Sequence, residues 1–272
     1  MIQFQIIRQI FLGNGSDEPI DLLIRAFCEP GIDNVVTINP TYGMYQVAAD
    51  ICGVELRKVS LTAEYELDTK AVLETIDQNT KLIFLCSPNN PTGVVYTKEE
   101  LMELGAVLEE ASQKFGKRIY LISDEPYRKI VYGGEVPSVF DVYPHTIMLT
   151  SYSKELSLAG ERIGYLAIHP QAEDAAMIAG AAGVTNTMMY VNAPALFQQV
   201  VGQLQGVTVD IDIYKKRRDM FCEGLYAAGY ELDMPEGAFY LFPKSPIEND
   251  VEFVKILSKQ NILAVPGTAF GG

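Results

Sequence analysis

"KLIFLCSPNNPTG" (residues 81–93) joins an apolar run to a turn packed with two Asn, two Pro and a Gly. Leu82 to Cys86 are apolar at successive positions, the pattern of a strand covered on both faces; a half-exposed strand would alternate. Proline fixes φ and Asn tolerates turn geometry, so the strand ends in a rigid, polar stop. Working outward, short apolar runs of the same kind recur at "VVTI" (35–38), "RIYLIS" (118–123), "TIMLT" (146–150) and "IGYLAI" (163–168). Amphipathic stretches lie between them. In the clearest, residues 97–115, Thr97 and Glu100 have capping-box spacing, and Leu101, Leu104, Leu108 and Ala111 recur at helical spacing. This alternation predicts an α/β fold with a mainly parallel central sheet flanked by helices.

A second pattern begins near Asp210. A helix at "IYKKRRDMFCEGLYAAG" (213–229), a strand at "GAFYLF" (237–242), a helix at "DVEFVKILSKQ" (250–260) and a strand at "ILAVP" (262–266) predict a partial small C-terminal αβ domain. The expected division is a large domain over residues 1–207 and a small one over 208–272.

Composition narrows the chemistry. The formal charge of −14 repels phosphate backbones and anionic headgroups, so neither nucleic acid nor a membrane surface is an expected partner. No apolar run reaches the length of a membrane span, and the opening "MIQFQIIRQIFLG" lacks a signal peptide's basic flank and cleavage site. Cys28, Cys52, Cys86 and Cys222 form no CxxC pair or zinc pattern, which fits free thiols in a reducing cytoplasm. No metal site is expected. His145 and His169, each beside a Pro, read as solvated loop residues. GxSxG, HExxH and GxxxxGK[ST] are all absent, and "GNGSDE" (13–18) has Glu18 where a dinucleotide fingerprint needs its third Gly.

The strand ends carry a more specific signal. In an open parallel sheet, ligands gather beyond the carboxyl ends of the strands, and those ends present Asn90, Asp124 and Lys154. A partly desolvated amine beside an acid suits a carbonyl cofactor with a heterocyclic nitrogen: the amine forms a Schiff base and the acid keeps the nitrogen protonated. Pyridoxal 5′-phosphate is such a cofactor.

"NNPTG" (89–93), "SDEPY" (123–127) and "SYSKELSLAGERIGY" (151–165) resemble, in order and spacing, the signatures of the fold type I aminotransferases of classes I and II. Up to about residue 80, "FLGNGSDEPIDLLIRAF" and "PTYGMY" look most like histidinol-phosphate aminotransferases. From "DEPYRKIVYGG" onward the chain is more similar to the aspartate and aromatic branch. The resemblance implies that Lys154 binds the cofactor and moves the substrate proton, and that Asp124 pairs with the ring nitrogen. It implies that Asn90 and Tyr127 bond the ring hydroxyl and that Tyr42 stacks on the ring. Gly15, Ser16, Asp17, Ser151, Ser153 and Arg162 would hold the phosphate. Plainer roles compete: a helix N-cap for Ser16 or Asp124, a core aromatic for Tyr42, a structural ion pair for Arg162. The implied reaction moves an amino group between an α-amino acid, or histidinol phosphate, and a 2-keto acid, in a cytoplasmic homodimer. A different reaction of the same cofactor, such as C–S β-elimination, or a non-catalytic remnant that only binds it, would leave the same motifs. The family's N-terminal arm, and the segment with the Arg that grips the substrate carboxylate, are expected to lie outside these residues, which makes the chain a fragment in this reading.

Overall fold

The computed structural model describes residues 9–271. Residues 1–8, the larger part of the stretch read as lacking a leader, lie outside it. Seven strands form one sheet in the order β1-β7-β6-β5-β4-β2-β3. The strands are β1 (Ile10–Gly13), β2 (Asn34–Asn39), β3 (Glu55–Ser60), β4 (Thr80–Cys86), β5 (Tyr120–Asp124), β6 (Thr146–Ser151) and β7 (Gly164–Ile168). From β3 through β6 every pair is parallel. β7 reverses against β6, and β1 pairs antiparallel with β7, so β1 runs with the parallel set.

The apolar run of β4 is explained by cover on both faces. Leu82 and Phe84 pack with Val35, Ile122 and Leu149 against Ile20 and Ile24 of α1 (Asp17–Phe27), Ala49 of α2 (Met44–Cys52) and Ile178 of α6 (Ala175–Met189). Ile83 and Leu85 face the other way, with Val36, Ile38 and Leu121, onto Leu101, Leu104, Leu108 and Ala111 of α4 (Lys98–Phe115) and Val72 of α3 (Thr69–Thr75). The result is helix–sheet–helix layering. The capping box of α4 forms as its spacing predicts: Thr97 accepts from the Glu100 backbone N–H, and Glu100 accepts from that of Thr97.

Three expectations need correction. "GAFYLF" and "ILAVP" form no strand among the described residues; the first contributes a single bridge, Gly237 to Val131, and Leu263 in the second is 90% exposed. A strand needs a ladder partner, and neither segment has one here. The region is instead α8 (Ile211–Ala227) and α9 (Asp250–Ser258) joined by chain without helix or strand. His145 and His169 are buried, not solvated. The His145 ring accepts the Glu173 N–H; His169 accepts the Gln171 N–H and reaches the Phe140 carbonyl at 3.1 Å. Burial lowers both imidazoles from their ordinary range. Strands β1 and β3 escaped the sequence reading altogether.

Candidate active site

The carboxyl ends of β1, β4, β5 and β6 meet around one cleft with about 510 Å³ of empty space, part of it open to solvent. Each end delivers its residue by a different local device. After β4, Asn89 builds the turn: its side-chain oxygen accepts from the Thr92 N–H (3.1 Å) and hydroxyl (2.8 Å), and its amide reaches the Pro40 carbonyl at 3.2 Å. Asn90 is thereby left facing the cleft, with its side-chain oxygen buried and unpartnered among the described residues. The first Asn holds the turn so that the second can point.

Asp124 is the last residue of β5 and is 1% exposed. One carboxylate oxygen accepts the Tyr45 hydroxyl at 2.8 Å; the other has no partner among the described residues. No helix starts after it, so the N-cap role does not apply. Burial lifts this carboxyl to about 7; the Tyr45 hydrogen bond opposes the rise and the charges of Asp17 and Glu125 add to it. Tyr45, which the sequence reading passed over, is fully buried and stacks on Phe84 with ring centroids 4.9 Å apart.

β6 runs into the single turn α5 (Tyr152–Glu155). Tyr152 is pinned in an apolar cluster with Ile163, and Glu155 pairs with Lys129 at 3.1 Å. Half-buried Lys154 faces the cleft between them. Its Nζ lies 5.7 Å from the centroid of Phe239, and that ammonium makes no hydrogen bond or ion pair among the described residues.

The fourth corner is the loop from β1 to α1. Gly15 sits at φ +84°, and a Cβ there would lie 2.6 Å from the Arg162 guanidinium. Across it, a Cβ on Gly164 would meet the Gly15 carbonyl at 2.7 Å. Two glycines thus let the loop lie flat on β7 with Arg162 against it. Ser16 stands at the N-cap position of α1 but makes no side-chain cap bond. The backbone N–H groups of Ser16 and Asp17, unpartnered among the described residues, border with Ser151, Ser153 and Arg162 a space fit for an anion. Arg162 has left-handed backbone (φ +51°) and donates to the carbonyls of Asn14 (3.2 Å) and Ala159 (3.0 Å), with Asp17 at 3.6 Å. The competing ion-pair role is therefore partly realised.

Tyr42 donates to Asp17 at 2.9 Å and lines the cleft; the Tyr127 hydroxyl lies 2.8 Å from that of Tyr240, also in the lining. Every residue singled out from the sequence lines this cleft except Gly15, which backs Arg162. Cys86, Pro126 and Tyr240 complete the wall without having been anticipated.

A layered α/β fold whose strand ends turn an amine, an acid and an amide toward one cleft has the layout of an enzyme that uses a carbonyl cofactor. The chain belongs to the family Aminotransferase class I and II, whose sequence model matches residues 1–272. Members of this family use pyridoxal phosphate. Over 162 residues the chain is 46% identical to a histidinol-phosphate aminotransferase of Parabacteroides distasonis, covering 60% of this chain and 44% of that protein. A Flavobacterium johnsoniae protein of the same name is 44% identical over 156 residues, 57% of this chain and 42% of its own length. Among solved structures, an aminotransferase from Eubacterium rectale superposes with a TM-score of 0.92 at 37% identity, over 97% of this chain and 67% of that one. Aspartate aminotransferase from Thermotoga maritima gives 0.86 at 28% identity, over 97% and 69%. The matches to these two curated relatives span less than half of each relative's length.

Proposed function

We propose that the cleft binds pyridoxal 5′-phosphate and that the protein moves an amino group between an α-amino acid, or histidinol phosphate, and a 2-keto acid. The observation that carries this reading is the pair of buried oxygens on Asp124 and Asn90, without partners among the described residues and facing the same cleft as Lys154. Buried polar atoms are normally hydrogen-bonded, so two orphans in one cavity call for a polar ligand. The fit is specific in chemistry. A ring N–H would satisfy Asp124, and a ring hydroxyl suits Asn90, whose amide can present its NH₂ by turning over. A phosphate matches the α1 N-terminus with Arg162.

When bound, pyridoxal phosphate supplies an electron-accepting ring that stabilises negative charge at the substrate Cα. The chain's own residues do the rest. Lys154 Nζ holds the cofactor covalently and carries a proton to and from Cα. Asp124, kept in place by Tyr45, holds the proton on the ring nitrogen. Ser16, Ser151, Ser153 and Arg162 anchor the phosphate, and Tyr42 covers one ring face.

The reading extends to a large domain over residues 1–207, a small one over 208–272, a cytoplasmic setting and a homodimer. The four free, buried cysteines support the setting, and exposed Met188 of α6, Val191 of the connection after it and Leu196 of α7 (Ala195–Gln203) support the dimer. Among the described residues no helix is long and apolar enough to cross a membrane.

The test is spectroscopic titration with pyridoxal phosphate. Wild type should develop the visible band of a lysine-bound carbonyl, and Lys154→Ala should not. Adding an amino acid should then convert the band and release the matching keto acid. No band in wild type overturns the binding; a band that no amino acid or histidinol phosphate perturbs leaves binding without turnover and overturns the activity.

A further inference from the structure

Glu18 stands where a dinucleotide fingerprint would place Gly, and the reading above gives it no task. It lies in the first turn of α1, 5% exposed, with no cation in ion-pairing distance among the described residues. Burying an unpaired carboxylate beside an anion site is costly, and only a dense set of donors offsets it. Glu18 has that set. One carboxylate oxygen accepts from the Asn14 backbone N–H at 2.9 Å and from the Asn14 side-chain amide; the other accepts from the Asn186 side-chain amide on α6. The Asn14 carbonyl then receives the Arg162 guanidinium at 3.2 Å.

We infer that Glu18 is a positioning residue for the phosphate anchor: from its footing on α6 it clamps Asn14, and Asn14 sets where the Arg162 guanidinium points. The inference rests on the reading that the cleft takes pyridoxal phosphate. Glu18, Asn14 and Asn186 do not line the cleft, so whatever they contribute to ligand affinity is transmitted through the loop. A carboxylate suits the task because both of its oxygens accept, and three N–H donors converge on it. Gln can take its place if Asn186 turns its amide to offer an oxygen to the new NH₂. Ala leaves all three donors bare.

The experiment compares two ligands, pyridoxal phosphate and pyridoxal, which carry the same ring and differ in the phosphate. Affinities are measured by calorimetry on the 272-residue chain. Glu18→Ala should weaken pyridoxal phosphate by about tenfold or more while leaving pyridoxal within about twofold. Asn186→Ala, distant in sequence and outside the cleft, should show the same selectivity with a smaller loss. Glu18→Gln should restore most of the affinity. If Glu18→Ala does not fold, Asn186→Ala carries the test. Equal weakening of both ligands, or of neither, overturns the inference and makes the cluster mere scaffolding. A wild type that does not prefer pyridoxal phosphate over pyridoxal overturns the cofactor reading, and this inference with it.

Discussion

Polar clusters lie at opposite ends of β4 and its neighbours in the sheet, and the two are built in opposite ways. At the amino ends of β2 and β4, Asn34 donates to Asp77 (2.9 Å), Thr80 donates to Asn34 (2.7 Å), and Asp77 also accepts from the Asn79 N–H (2.8 Å) and Arg57 (2.8 Å). That circuit is closed. At the carboxyl ends, Asp124 and Asn90 each keep an oxygen without a partner among the described residues. The electrostatics follow suit. Burial alone would raise Asp77, but hydrogen bonds from Asn34 and Asn79 and the Arg57 guanidinium hold it well below the usual carboxylate range. Asp124 is lifted to about 7 by full burial, which its single hydrogen bond from Tyr45 opposes and the charges of Asp17 and Glu125 reinforce. The satisfied cluster, with Asp77 partly exposed, builds structure, and the unsatisfied one around fully buried Asp124 waits for a ligand.

The sharpest way to break the contrast is Asp124→Asn. An amide cannot hold the ring nitrogen protonated, so amino-transfer rate should fall by roughly two to three orders of magnitude, with folding retained. Steady-state kinetics beside a thermal melt decides it; unchanged kinetics would remove Asp124 from the site.

Stability against pH sharpens the comparison, because the two carboxylates act with opposite sign. Asp124 titrates higher folded than unfolded, so the folded ligand-free chain binds the extra proton between about pH 4 and 7. Its contribution is present below pH 4 and is lost as pH rises through 7, a change on the order of a few kcal/mol. Asp77 is depressed, so its contribution is present above pH 4 and is lost as pH falls toward its folded value. Urea unfolding of the ligand-free chain across this range should show the high-pH slope flattened by Asp124→Asn and untouched by Asp77→Asn. The smallest effect is that of Asp77→Ala near neutral pH. It should cost about 1–2 kcal/mol of stability, since three donors lose their acceptor at a partly exposed site, while cofactor affinity stays within error. A large loss of affinity there would mean that the two ends are not independent.

How much of this was legible in the sequence follows from the same physics. The central strands showed because cover on both faces demands unbroken apolar runs. β3, "ELRKVS", did not: it is an edge strand whose Glu55 and Lys58 are exposed, whose Arg57 is half-buried against Asp77, and whose Val59 alone is buried. The segments 237–242 and 262–266 were misread because apolar, β-prone residues form a strand only with a partner, and no ladder partner is present among the described residues. The cleft residues were readable because they cluster in turns just past strand ends. Tyr45 and Glu18 were not, since each acts through a neighbour, on Asp124 and on Asn14, and spacing along the chain does not reveal a contact made in space. For the histidines a neighbouring Pro suggests a surface loop, whereas Tyr120 and Tyr143 pack against His145 and Phe140 packs against His169.

Arg162 holds its guanidinium at the cleft from a backbone conformation that L-residues avoid. Such a residue typically carries on the order of 1 kcal/mol of strain that glycine would relieve. The chain is therefore less robust than its own architecture allows at this position. Selection for stability alone would drift it toward the smaller residue, and laboratory evolution under heat without cofactor is where that drift would first be seen.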